Sequence, residues 1–238
     1  MTFATPAVLL PGTGSDEVFV RNVFAGPLSA SGLELVAPRP PAGARLVDGY
    51  LEFLDTLDGP VVVGGVSFGA HLAASWAVRN PDRCAGLLVA LPAAVGPMTG
   101  APARAAARLT ADRVDRDGLE AALAASVDGV RPWLAAELTR AWRRHGDGLA
   151  AALRVAVDFP APSAAELRAL RVPAGVAACS DDPVHPATVA RRWAATLPAG
   201  RLRTTTLAAM GDTPEALGAV AVRAFLDASG HVKATFTT

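Results

Sequence analysis

Aromatic side chains are scarce. Phe, Trp and Tyr together make up 5% of the 238 residues, and there is a single Tyr. A core of stacked rings is therefore excluded, and small and branched aliphatic side chains must fill the interior. Ala is roughly a fifth of the chain, with 22 Gly and 19 Pro beside it. Net charge is also lacking: 22 Lys plus Arg balance 22 Asp plus Glu. Lys233 is the only lysine. A neutral chain exerts no long-range pull on nucleic acid or on an anionic membrane, so neither partner is expected. There are only two cysteines, Cys84 and Cys179, far apart and in no metal-ligand spacing. Each falls in an apolar run, and two buried free thiols in a cytoplasmic protein are expected. The N-terminus lacks the basic start and long apolar stretch of a secretory signal. Two uncharged stretches, Pro60 to Val78 and Cys84 to Ala103, are interrupted by Gly, Pro, Ser and His and do not read as membrane spans. Histidine is scarce too: His71, His145, His185 and His231 are the whole supply.

What is present is a rhythm of short apolar runs and helical patterns. Strands are expected at Thr5 to Leu10, Leu33 to Ala37, Val61 to Val66, Ala85 to Leu91, Val172 to Cys179 and Arg201 to Leu207. Val61-Val62-Val63 has no polar alternation, which predicts a strand covered on both faces, as in a parallel sheet. Helical patterns lie between them, at Asp16 to Ser31 (with Gly26-Pro27 as an interruption), Arg45 to Leu57, Phe68 to Arg79, Pro186 to Leu197 and Glu215 to Ala228. From Ala93 to Arg171 there is no convincing strand. That stretch holds four helical pieces, Ala101 to Leu109, Arg116 to Ser126, Pro132 to His145 and Gly148 to Val157. The pattern predicts an α/β fold, a doubly wound, mostly parallel sheet of about six strands. It is divided as core 1–92, helical insertion 93–171 and core 172–238. The insertion follows a sheet strand, so it starts near the strand ends where ligands bind, and a lid over a site is expected.

Three segments carry chemistry. Gly65-Val66-Ser67-Phe68-Gly69 has the form G-x-S-x-G between a strand and a helix, the context that makes Ser67 a nucleophile candidate. The helix N-terminus favours developing negative charge, and the Phe68 amide can point at an oxyanion. Leu10-Pro11-Gly12-Thr13-Gly14 follows the first strand and could bring a second amide, that of Thr13, to the same site. It is neither a phosphate loop nor a dinucleotide fingerprint, so no cofactor and no metal is implied. Ser180-Asp181-Asp182-Pro183-Val184-His185 ends a strand with two acids, and Asp182 could orient a catalytic imidazole.

Together these residues resemble the α/β-hydrolase fold superfamily over residues 4 to 228. The resemblance implies a Ser-Asp-His site beneath a helical cap, with Pro11-Gly12-Thr13 matching the oxyanion segment and Asp182-Pro183-Val184 the acid loop. The chain departs from the pattern at several places, two of which bear on the expected site. Pro11 stands where the family has the His of a His-Gly pair. In Ala209-Met210-Gly211-Asp212-Thr213-Pro214, Asp212 stands where the family carries its catalytic histidine. An aspartate is a weak base at its ordinary pKa of about 3.9, although beside Asp182 it could share a proton. Of the four histidines, His185 is the best substitute base, provided the start of the next helix does not turn it outward. The expected site is thus Ser67, Asp182, Asp212 and His185, with Thr13 and Phe68 at the oxyanion hole. The resemblance implies an esterase or thioesterase acting on a small hydrophobic ester or thioester. Two alternatives stand beside it. One is a divergent lyase, isomerase or cyclase without an acyl-enzyme. The other is a non-catalytic binding protein. The oligomeric state is left open.

Overall fold

The computed structural model describes residues 5–230. It contains one six-stranded sheet in the order β2-β1-β3-β4-β5-β6, with every neighbouring pair parallel. The strands are β1 (Thr5–Leu10), β2 (Leu33–Val36), β3 (Val61–Val66), β4 (Cys84–Ala90), β5 (Ala174–Cys179) and β6 (Gly200–Thr205). Helices α1 (Glu17–Ser29), α2 (Leu46–Asp55) and α3 (Phe68–Arg79) connect the first four. Between β4 and β5 lie α4 (Pro102–Asp117), α5 (Leu119–Val127), α6 (Pro132–His145), α7 (Leu149–Asp158) and α8 (Ala164–Ala169). Then come α9 (Ala187–Thr196), α10 (Leu207–Asp212) and α11 (Glu215–Ala228). Because all strands run the same way, the segments following β1, β3, β4 and β5 emerge along one edge of the sheet.

Strand alternation builds two separate cores. Val8, Leu10, Val61, Val63, Leu87, Val89 and Val176 face one side and pack with α2, α3, α8 and α9. Ala7, Leu9, Val62, Leu88, Ala90, Ala177 and Cys179 face the other and pack with α1 and α11. This is why Val61-Val62-Val63 shows no polar alternation: each residue is fully covered, on opposite faces. The inserted helices have a third cluster of their own, around Ala111, Leu123, Trp142, Leu149 and Leu153. Helix α7 ties it to the sheet, because its Ala152 and Ala156 belong to the first core.

The Ala- and Gly-rich composition permits unusually close approach. A Cβ on Gly175 would lie 2.5 Å from the Phe225 amide nitrogen, so the α11 backbone rests directly on β5. A Cβ on Gly218 would lie 1.9 Å from the Val23 carbonyl oxygen. That carbonyl is the one left without its helical donor by Pro27, which has no N–H. Helix α1 therefore passes through Gly26-Pro27, where the sequence pattern suggested an interruption, and ends only at Ser29.

Two short helices were not foreseen, α8 and α10. Helix α8 is closed by a reciprocal capping box between Ser163 and Glu166. Helix α10 starts at Leu207, a residue expected to end β6. There Thr206 accepts from the Ala209 N–H and Asp181 accepts from the Leu207 N–H at 2.7 Å, so side chains stop the strand. Among the described residues, no helix is long and apolar enough to cross a membrane.

Gly218→Ala is expected to destabilise the fold by about 2–3 kcal/mol, although Ala favours an isolated helix by about 1 kcal/mol over Gly. The added methyl meets backbone, not a side chain that can swing away. The urea midpoint measures it, and an unchanged or raised midpoint would contradict the close α1–α11 contact.

Candidate active site

Ser67 sits in the turn between β3 and α3 with φ 52° and ψ −116°, a conformation costly for a residue with a side chain. The turn is held by two hydrogen bonds: the Ser67 N–H donates to Ala90 O at 2.8 Å, and the His71 N–H donates to Ser67 O at 3.1 Å. Gly65 and Gly69 make the turn possible. A Cβ on either would lie within 2.3 Å of Leu10 O, so β1 leaves no room for a side chain. Gly12 faces the serine: its own Cβ would be 3.6 Å from that of Ser67. Thr13 follows in the same turn, which is closed by Ser15 N–H donating to Gly12 O. Phe68 is buried as the first residue of α3, edge-to-face with Phe159.

The β5–α9 segment supplies two partners. His185 Nε2 lies 3.0 Å from Ser67 Oγ. His185 Nδ1 lies 3.0 Å from Asp182 Oδ2. A carboxylate can only accept, so Nδ1 carries the proton and the Nε2 lone pair faces the serine hydroxyl. Asp182 has a second task. Its Oδ1 accepts from the Val184 and His185 N–H groups, at 2.8 and 3.1 Å. One carboxylate thus shapes the turn that presents His185 and also fixes its ring. The Asp182 side chain is 7% exposed and that of His185 17%. Burial pushes the Asp182 carboxyl up, but the His185 hydrogen bond and charge and the two backbone donors outweigh it. They hold the carboxyl below the usual range.

The remaining sequence candidates lie elsewhere. Asp212 is exposed at the end of α10, and among the described residues its carboxylate makes no hydrogen bond or ion pair. It joins neither Ser67 nor Asp182, so the expectation of a shared proton with Asp182 is not met. The reason is local: Asp181 and Thr206 fold the post-β6 segment into α10, and Asp212 ends that helix with its side chain exposed. His145, at the end of α6, bonds Ser15 O at 2.9 Å. His231 lies outside the described residues. Trp142 is in the core of the inserted helices, and half-buried Trp133 packs on Gly211.

His71 packs and hydrogen-bonds within the core. It is 1% exposed, its Nε2 accepts from the Ala93 N–H at 3.0 Å, and its ring stacks on Trp193. Burial, with a smaller contribution from His185, pushes its pKa down to about 3, so the ring stays neutral. The clue in the sequence was its place one helical turn after Ser67.

A second polar cluster joins α6 to the turn after β1. Asp16, 1% exposed, caps α1 through Val18 and Phe19 and receives two hydrogen bonds from Arg140, at 2.8 and 3.0 Å. Burial pushes this carboxyl up, but Arg140 and the Phe19 amide bring it below the usual range. Arg144 pairs with Glu17. A groove of about 900 Å³ between α1 and α11 contains neither Ser67 nor its partners. Both thiols are buried, Cys84 pushed up to about 11 and Cys179 to about 12, which leaves them unreactive. No group of three potential metal ligands occurs among the described residues.

A parallel sheet, a strained serine elbow after β3 and an acid loop after β5 are the marks of one fold family. The model of the alpha/beta hydrolase family matches residues 3–232, and the chain belongs to that family. Among solved structures, it is similar to an esterase from Thermogutta terrifontis, with a TM-score of 0.65 and 22% identity over 85% of this chain and 81% of that one. An enol-lactonase from Burkholderia xenovorans gives 0.65 and 19%, over 96% and 90%. MenH from S. aureus gives 0.66 and 14%, over 95% of each chain. These likenesses bear on the fold. No curated protein matches the sequence.

The neutral, buried His71 makes stability depend on pH. Below 6.5 the unfolded chain takes up a proton that the folded one refuses down to about pH 3. Stability is therefore lost as pH falls through this window. The slope approaches about 1.4 kcal/mol per pH unit between about 6 and 4.5, before the carboxylates add their own loss. Urea unfolding at stepped pH should show this slope, and His71→Phe should flatten it. An equal slope in the variant would contradict the assignment.

Proposed function

We propose that the protein is a serine hydrolase that cleaves a carboxylic ester or thioester with a hydrophobic acyl part. The observation that carries this reading is the continuous Ser67–His185–Asp182 chain, with both links at 3.0 Å. In this mechanism His185 Nε2 takes the hydroxyl proton as Ser67 Oγ attacks the carbonyl carbon. Asp182 stabilises the imidazolium and stays ionised, as its lowered pKa favours. The Phe68 and Thr13 amides hold the oxyanion. His185 then gives its proton to the departing alcohol or thiol, leaving an acyl-Ser67. Water enters by the same route in reverse and releases the acid.

The apolar surroundings of Ser67 support an apolar acyl group, since Val66, Phe68 and Leu91 are all buried there. Residues 93–171 serve as the cap, between core segments 1–92 and 172–238. The substrate is a small molecule, and no cofactor is required for this chemistry. Asp212 has no catalytic part in it. An imidazole against the serine favours the hydrolase over a lyase or isomerase without an acyl-enzyme, and over a purely binding role.

Turnover of p-nitrophenyl butyrate and of a butyryl thioester tests the assignment. Ser67→Ala and His185→Gln should each lower kcat/KM by at least roughly 10³-fold. Asp212→Asn should stay within about twofold of the parent, as for a remote surface change. Activity that survives His185→Gln, or that is lost with Asp212→Asn, would reject the base assignment.

A further inference from the structure

The catalytic base of this site comes from the β5–α9 segment, so something must fix that segment against the nucleophile's helix. We propose that His71 and Trp193 are positioning residues that set the distance between Ser67 and His185. The proposal rests on the serine-hydrolase reading above. His71 lies four residues after Ser67, on the first turns of α3, and Trp193 lies in α9, which begins two residues after His185. The two rings are nearly parallel, 11° apart, with centroids separated by 5.8 Å. Both are essentially inaccessible, 1% and 0% exposed.

The two side chains also grip one dipeptide from opposite helices. His71 Nε2 accepts from the Ala93 N–H at 3.0 Å, and Trp193 Nε1–H donates to Ala94 O at 2.7 Å. Ala93 and Ala94 follow β4, the strand that lies between β3 and β5 in the sheet. The brace therefore links the segments that follow β3, β4 and β5, and the Ser67–His185 contact joins the first and last of these. The chain is bent to meet it. Leu91 has φ 50°, a costly conformation for a branched side chain, and its own N–H is held by Ala177 O at 2.9 Å. A pair that only filled volume would not need two directed hydrogen bonds to successive residues. Neither ring bonds to the reacting atoms, so both act through the positions of α3 and α9.

The experiment compares His71→Ala, Trp193→Ala, the double variant and His71→Phe on p-nitrophenyl butyrate. Ser67→Ala is the control, and the folded fraction is taken from circular dichroism. Each single Ala variant should lower kcat of the folded protein by about 10- to 100-fold, the scale of an ångström-sized misplacement, with KM within about threefold. The double variant should be no slower than about the slower single, because both remove one brace. His71→Phe keeps a flat ring against Trp193 but loses the acceptor for the Ala93 N–H, so its kcat should lie between that of His71→Ala and that of the parent. Should the Ala variants not fold, His71→Gln and Trp193→Phe must each still lower kcat by at least about threefold. Parental kcat in the folded single variants, or losses that multiply in the double, would overturn the brace while leaving the hydrolase reading intact. A parent no more active than Ser67→Ala would overturn both.

Discussion

The site depends on one contact, the hydrogen bond between His185 Nε2 and Ser67 Oγ. It joins segments leaving β3 and β5, two strands apart and so separated by about 10 Å at the sheet. Two side chains and two short turns can span that gap. The post-β6 segment starts about one strand spacing further away, and a base placed there needs a loop that reaches back. Here that segment is coiled into α10, which buries Met210 and leaves Asp212 exposed. With Asp182 and His185 three residues apart on one turn, carboxylate and imidazole come as a unit. Only the relation of that unit to Ser67 remains to be set by the rest of the fold.

Composition and site have the same cause. A chain poor in rings and rich in Ala and Gly packs its helices close against the sheet. Phe225 meets Gly86 with its ring and Gly175 with its backbone, and Gly218 is set against the backbone of α1. The few rings are then spent at joints. Trp193 fastens α9 to the post-β4 segment, and Trp142 packs over Gly14 beside the turn after β1. The buried charges follow a similar logic. Asp16 is taken out of water at the start of α1 and is compensated by Arg140, so the inserted helices and the turn that carries Thr13 are fastened together.

The strands of the sheet were largely legible, because a parallel strand buried on both faces writes a continuous apolar run. The serine turn after β3 was legible because its glycines are demanded by the backbone of β1. Helix α10 was not, because it depends on Asp181 reaching the Leu207 N–H, a contact 26 residues away. His185 could be named a candidate from its spacing to Asp182. Its direction could not be read, since Asp182 Oδ1 sets it by binding the Val184 and His185 amides. Asp212 drew attention by matching a position in the family pattern, and nothing in its own surroundings makes it a base. The link between His71 and Trp193 was not legible, because it crosses more than a hundred residues of chain.

The most direct test is labelling with an alkyl fluorophosphonate, followed by intact mass and peptide mapping. The reagent needs an activated serine and no substrate knowledge. A single adduct on Ser67 is expected, formed at least roughly 10²-fold more slowly in His185→Gln and at an unchanged rate in Asp212→Asn. Equal labelling of the parent and His185→Gln, or slowed labelling only in Asp212→Asn, would contradict the claim that the base has moved to the acid loop.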